Sequence, residues 1–344
     1  MHHSPLRRAL IAAAVAAAAG GAMAQNASPA KAARAPAKSA DNALAGWPSK
    51  PLRILVGFPG GSTPDLVART IAEPLSKALG QPVIVDNKPG AGGNIATDAV
   101  VKATDNHTIG VLINGNMTIA KLLNPATPFD PLKDLAPISL IGTAPLLLTA
   151  SNNVPTANAQ EFFLAARNAG NKWSYGSPGI GTVGHIGMEL LKARTNINPV
   201  HVPYPGNPQV INAMISGQIQ LALLPPGLAA AQIRAGKLRA IGVTSPARSP
   251  LVPEYPSLDE AGVTRGFQLE IWTAAAAPVS MPKPIVAKLS SLIAEIARTP
   301  EVRQKLFQQG WQVAGTSSEG LANRIKSDTA LLGGIIQMRG IKAE

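Results

Sequence analysis

Residues 173–191 read W-S-Y-G-S-P-G-I-G-T-V-G-H-I-G-M-E-L-L. A short β-rich run, Trp173 to Ser177, meets a glycine loop that opens into an apolar, helix-like run. Gly179, Gly181 and Gly184 spell G-x-G-x-x-G, the spacing of dinucleotide-binding loops. That use requires an acid about 20 residues on, at the end of the next strand. The next strand-like run, Pro199 to Tyr204, ends without one. The match also lies mid-chain rather than on the first strand of its series. What remains is a strand, an open loop and a helix start. Its exposed amides favour an anion of any kind.

The same unit occurs earlier, in F-P-G-G-S-T-P-D-L-V-A-R, Phe58 to Arg69. It follows the strand-like run 52–58, and ligands of open α/β sheets bind at the carboxyl ends of strands. Gly60 and Gly61 let backbone approach a ligand. Ser62 or Thr63 suits the N-cap and Pro64 the first helical turn. Asp65 in that turn fits either a stabilising acid or a ligand contact.

Between and beyond these loops the chain alternates strand-like and helix-like segments, the pattern of parallel sheets with crossover helices. Two extended apolar runs, 135–150 and 267–277, interrupt it. If both cross between sheets, one lobe is discontinuous, 47–143 plus 272–344, and the other is 144–271. Two α/β lobes joined in this way leave a cleft, the usual place for a small ligand.

The N-terminus carries Arg7 and Arg8, an apolar run Ala9 to Ala19 and the small-residue pattern Ala22-Met23-Ala24. This reads as a secretory signal peptide, residues 1–24, cleaved after Ala24. Its core is too short to span a bilayer. Residues 25–46, rich in Ala, Pro, Lys and Ser, read as a disordered linker. The expected location is the periplasm. The 344 residues contain no Cys, which excludes zinc-thiolate sites, cysteine catalysis and a lipoprotein anchor. No H-E-x-x-H or G-x-S-x-G is present, and no metal or cofactor is expected. The net charge is +12, but the basic residues are scattered and aromatics are 4%. That argues against nucleic acid and suits a field that favours small anions. The one catalytic arrangement to weigh is a secreted hydrolase using Ser177 with His185. It lacks a strained elbow and an evident orienting acid.

Taken as a set, several stretches resemble the Bug-type periplasmic solute receptors of tripartite tricarboxylate transporters. They are W-P-S-K-P-L-R-I-L-V-G-F-P-G-G-S-T-P-D-L-V-A-R (47–69), G-Q-P-V-I-V-D-N-K-P-G-A-G-G-N-I (80–95), Y-G-S-P-G-I-G-T-V-G-H (175–185), H-V-P-Y-P-G (201–206) and A-G-K-L-R-A-I-G-V-T-S (235–245). The resemblance implies a two-lobed Venus-flytrap fold of the type II periplasmic class, with two crossing strands. It implies a receptor, not an enzyme, that binds a small carboxylate and hands it to membrane permease subunits, or to a sensor kinase. A monomer is expected. The contacts it implies are Phe58, Gly60, Gly61, Ser62 and Asp65 from one lobe and Tyr175, Ser177, Gly181, Thr182 and Tyr204 from the other. Asn87, Ala91 and Gly92 flank them. Four places depart from the family pattern: Pro205, Gln220, Asn116 to Thr118, and Trp272 to Ala277. The departures make the cleft less charged and favour an aromatic or weakly charged monocarboxylate.

Overall fold

The computed structural model describes residues 44–155 and 158–342. The signal-peptide reading and most of the linker lie outside these residues. Residues 44–46 are described, and they correct the expected linker boundary. Leu44 packs against the first core, and its carbonyl accepts the Trp47 amide.

Two sheets organise the fold. The first has the order β11-β4-β10-β3-β1-β2, built from β1 (Leu52–Val56), β2 (Val83–Asn87), β3 (Thr108–Ile113), β4 (Leu135–Pro145), β10 (Glu270–Pro278) and β11 (Gln312–Val313). Strands β1, β2 and β3 are parallel; β10 runs antiparallel to β3 and β4. The second has the order β7-β6-β8-β5-β9, from β5 (Leu147–Ser151), β6 (Ser174–Ser177), β7 (Val200–Pro203), β8 (Leu221–Leu224) and β9 (Leu238–Val243).

Helices α1 (Thr63–Leu79), α2 (Asn94–Val101) and the short α3 (Asn114–Thr118), α4 (Ala120–Leu123) and α5 (Pro131–Asp134) belong to the first half of the chain. Helices α6 (Ala159–Ala169), α7 (Val183–Thr195), α8 (Asn207–Ile215) and α9 (Pro226–Arg234) interleave with the second sheet. The chain ends in α10 (Lys283–Arg298), α11 (Pro300–Gln308) and α12 (Ser318–Arg339).

Strands buried on both faces need apolar residues at successive positions, and the central strands β3 and β8 have them. In β1, Leu52, Ile54 and Val56 point into one core and Leu55 into the core on the opposite face. In the second sheet Leu148, Leu221 and Leu223 serve one face, and Leu147, Ala222 and Leu224 the other. Four clusters, two per sheet, hold most of the buried apolar side chains among the described residues.

The extended run 135–150 is two strands, one in each sheet, with Leu146 between them. The return crossing follows β9, before Glu270. Thr244 ties the two crossings together. Its amide donates to the Leu146 carbonyl, its hydroxyl donates to the Leu269 carbonyl, and the Leu146 amide donates to that hydroxyl. Helix α12 makes a third link. Leu321 and Ile325 pack with Trp272 on the first sheet, while Leu332, Ile335 and Ile336 pack with Phe162 and Leu148 on the second. The C-terminal segment therefore serves both cores, not the first alone.

Candidate functional site

The first turn of an α-helix has N–H groups with no intrahelical acceptor. Side chains commonly cap them. Nine of the twelve helices among the described residues have no side-chain cap, and four of the nine bear on the site. These are α1 behind Ser62, α7 behind Thr182, α8 behind Gly206 and α9 behind Pro225. The Thr182 hydroxyl turns away to the Gly179 carbonyl at 2.7 Å. All four N-termini open onto one narrow cavity of about 50 Å³, lined by Ser62, Thr63 and Pro64, by Thr182, Val183 and Gly184, by Asn207, and by Pro225. Strands β3 and β10 supply Ile113, Asn114, Ile271, Trp272 and Thr273, and Trp311 stands just before β11.

None of the lining residues is ionisable. Five buried polar atoms on this lining have no partner within the described protein: Ser62 Oγ, Asn114 Oδ1, Asn207 Oδ1, Thr273 Oγ1 and Trp311 Nε1. Each such atom costs roughly 1–3 kcal/mol if left unsatisfied. Their gathering in one place marks a polar ligand site. Free N–H groups and aligned helix dipoles make the potential positive without a single cation.

The apolar wall is Phe58, Trp272, Leu146, Leu223 and their neighbours. Trp272 is held from outside. Its indole N–H donates to Asp328, which also accepts from Arg324 at 2.9 Å, and Arg324 reaches Glu270 at 3.1 Å. Asn207 Nδ2 donates to Thr63 Oγ1 at 3.2 Å, linking the two sheets' helices across the cavity.

Of the expected contacts, Phe58, Ser62 and Thr182 line the cavity. The others lie behind it or beside it. Asp65 is buried and faces away, accepting from Gly61 N at 2.9 Å, Arg69 Nε at 3.0 Å and Asn87 Nδ2 at 2.9 Å. Burial pushes its pKa up, but the Arg69 guanidinium, the Gly61 amide and the Asn87 amide outweigh burial and hold it below the ordinary value. Asn87 also donates to the Phe58 carbonyl at 2.9 Å. Asp65 and Asn87 therefore clasp the loop from behind, and Gly61, at φ +78°, supplies the left-handed turn this needs. Gly60 is at the same turn, outside the cavity lining. Ala91, Gly92 and Tyr204 line a separate groove that shares only Pro178 with the cavity.

Tyr175, Ser177 and Gly181 belong to a buried polar cluster behind the second loop. The Tyr175 hydroxyl donates to Glu189 at 2.7 Å, and its ring stacks on His201, centroids 4.8 Å apart. The His201 and His185 rings stack at 4.3 Å. Gly181 N donates to His185 Nδ1 at 3.2 Å, which places the imidazole proton on Nε2. The hydrolase pairing of Ser177 with His185 is corrected here. Ser177 Oγ contacts His201 Nε2 at 2.7 Å instead, and it is buried. The nearby acid, Glu189, is bound by Tyr175 and Lys192, so no carboxylate orients His201.

Burial drives His185 down to about 4, opposed by Glu189 and helped by Lys192. Burial, then the neighbouring His185, drives His201 down to about 3, with Glu189 opposing and Lys192 adding. Both folded values lie below the unfolded value of about 6.5. The unfolded chain therefore binds more protons as pH falls from about 6.5 toward 4, and stability falls with it, by at most about 1.4 kcal/mol per pH unit per histidine. We expect the melting temperature to drop over that window. The double substitution of His185 and His201 by Gln should flatten the drop in a pH series of thermal melts. An unchanged slope would assign the acid sensitivity elsewhere.

Asn114, Asn207 and Trp311 were not foreseen, whereas Thr273 falls in the Trp272 to Ala277 stretch expected at the cleft. Asn207 had a local signal, the G-N-P that starts α8. Trp311 had none, because it reaches the cavity only through the pairing of β11 with β4.

Residues 67–341 match the family described as tripartite tricarboxylate transporter family receptor. The chain belongs to this receptor family. The family consists of solute receptors, so the chain is a receptor and not an enzyme. A Pseudomonas sp. (strain P51) protein, the UPF0065 protein in the tcbD-tcbE intergenic region, is 35% identical over 83% of this chain and 85% of its own length. Bordetella pertussis protein BugT is 28% identical, over 86% of this chain and 91% of its own. Among solved structures, an R. palustris protein with adipate has a TM-score of 0.83 at 28% identity, covering 86% of this chain and 99% of its own. MatC from Rhodopseudomonas palustris with bound malate has a TM-score of 0.80 at 30% identity, covering 84% and 100%. The tripartite transporter receptors thus share this chain's α/β, two-sheet periplasmic binding protein fold. Among the described residues no helix is long and apolar enough to cross a membrane, and no cluster of His, Asp or Glu suits a metal.

Proposed function

We propose that this receptor works outside the cytoplasm, holds a small monocarboxylate between two lobes and delivers it to the permease subunits of a tripartite tricarboxylate-type transporter. The observation that carries the reading is the meeting of four uncapped helix N-termini at a cavity without ionisable groups. One negative charge is matched there by backbone donors, which need little reorganisation. The relatives solved with adipate and malate hold diacids. A second carboxylate has no cation to meet on this lining, which favours a single charge. Phe58, Trp272 and Trp311 favour an aromatic or otherwise apolar body.

In this reading the lobes are 47–143 plus 272–344 and 144–271, with the last helix braced on both. The crossings tied at Thr244 act as the hinge, and residues 1–24 direct export. Ser62, Thr63, Thr182, Val183, Gly184 and the backbone N–H of Asn207 provide the anion contacts. The test is a thermal-shift panel of mono-, di- and tricarboxylates, aromatic and aliphatic. A rise of several degrees with aromatic monocarboxylates supports the reading. No rise with any acid rejects it.

A further inference from the structure

Three of the unpartnered cavity atoms have fixed hydrogen-bonding roles: Asn207 Oδ1, an acceptor because its amide nitrogen donates to Thr63, and two on the sheet side. Trp311 Nε1 can only donate. Its neighbour in kind, Trp272, has spent its own N–H on Asp328, so Trp311 carries the one free indole donor on the cavity lining. Asn114 Nδ2 donates to the Glu270 carbonyl at 3.1 Å, which fixes its amide and leaves Oδ1, an acceptor, buried and unpartnered on a residue of the lining. Thr273 Oγ1, which can do either, stands on β10, next to β3 and one strand removed from β11.

Sheet register explains the row. Thr273 pairs with Ile113, the residue before Asn114, and with Gly142 on its other side. Gly142 in turn pairs with Val313, and Trp311 packs over it; a Cβ on Gly142 would lie 3.4 Å from the Trp311 Cβ. The missing side chain at Gly142 lets the indole lean over the strand toward Thr273. Donor, adaptable hydroxyl and acceptor thus follow one another across the sheet, beside β11, on β10 and just after β3, with Gly142 of β4 between the first two.

This row is poorly suited to a carboxylate. An ionised carboxylate offers acceptors only and would face the Asn114 oxygen with no cation beside it. A hydroxyl both accepts and donates. We propose that Trp311, Thr273 and Asn114 form a second recognition wall that selects a hydroxylated monocarboxylate. On this wall the ligand's hydroxyl accepts from the indole N–H or the threonine and donates to the asparagine, and a second carboxylate is disfavoured. The inference rests on the reading that the helix N-termini hold the ligand's single anionic group.

The test compares titration calorimetry of benzoate, 3- and 4-hydroxybenzoate and terephthalate on wild-type protein and on Trp311→Phe and Thr273→Val. We expect at least one hydroxybenzoate to bind about tenfold tighter than benzoate, the worth of one good hydrogen bond, and terephthalate to bind weakest. In either variant the ratio of hydroxybenzoate to benzoate affinity should fall toward one. A merely structural role would weaken all ligands alike and leave that ratio intact. An unchanged ratio in both variants, or terephthalate as the tightest ligand, overturns the wall while sparing the anion site. If none of the four acids binds, the anion reading fails and the wall fails with it.

Discussion

Asn207→Asp should cost about 100-fold or more in affinity for any carboxylate. Asn207 is the first residue of α8, on the cavity lining, and its Oδ1 has no partner. The substitution changes almost nothing in shape but puts a negative charge where the ligand's charge is held. At an effective dielectric near 20, two like charges about 4 Å apart repel by roughly 4 kcal/mol, far more than the 2.7 kcal/mol of a hundredfold loss. The aspartate loses the Asn207 Nδ2 donation to Thr63 but can accept from the threonine hydroxyl instead, and an acid in the first turn of a helix stabilises it by about 0.3–1 kcal/mol, so the free protein should not suffer. The expected pair of results is a melting temperature at or above wild type and no calorimetric heat with acids that wild type binds. Retained affinity would mean that the anion sits elsewhere.

Gly227→Ala should lower affinity by about tenfold or more from outside the cavity. Gly227 lies in the first turn of α9, and a Cβ there would collide with the Gln309 carbonyl and crowd the Gly310 amide. Gly310, at φ +84°, faces it, and a Cβ on Gly310 would meet the Gly227 amide in return. α9 belongs with the second sheet and Gln309 ends α11 on the first, so two glycines permit backbone to touch backbone across the cleft. Close pairs recur along the same boundary, with Gly92 against Gly179 and Gly115 against Gly181. If these contacts form only when the lobes close on a ligand, alanine penalises the closed state alone. Alanine is also the better helix former by roughly 1 kcal/mol. Free Gly227→Ala should therefore melt no lower than wild type while binding weakens. A variant that melts much lower without ligand would show a permanent packing contact instead.

The fold was largely legible because its signals are local. Glycine–serine or glycine–threonine loops behind short apolar runs place β1 and β6, and Pro64, Pro208 and Pro226 mark helix starts that the structure keeps. The run 135–150 could be read as a crossing because its glycine and prolines forbid a helix yet its apolar residues demand burial. The site was legible only where it coincides with those loops, at Phe58, Ser62 and Thr182. Loop membership misled elsewhere. Asp65, Asn87, Tyr175 and Ser177 sit in the right segments but face backwards, because a loop that presents its amides to a ligand needs side chains behind it to hold its shape. Trp311, and the role of Thr273 within the expected Trp272 to Ala277 crossing, were invisible for another reason. Their place depends on the order β11-β4-β10-β3, a non-local fact that no window of sequence carries.

The central claim is that helix N-termini, not side-chain cations, hold the anion. A crystal structure of the complex with the tightest-binding acid of the panel tests it most directly. The account predicts a carboxylate whose oxygens lie at about 2.9 Å from first-turn amides of α1 and α7, among Thr63, Val183 and Gly184, with its apolar body against Trp272. A carboxylate paired instead with a lysine or arginine outside this cavity would contradict it.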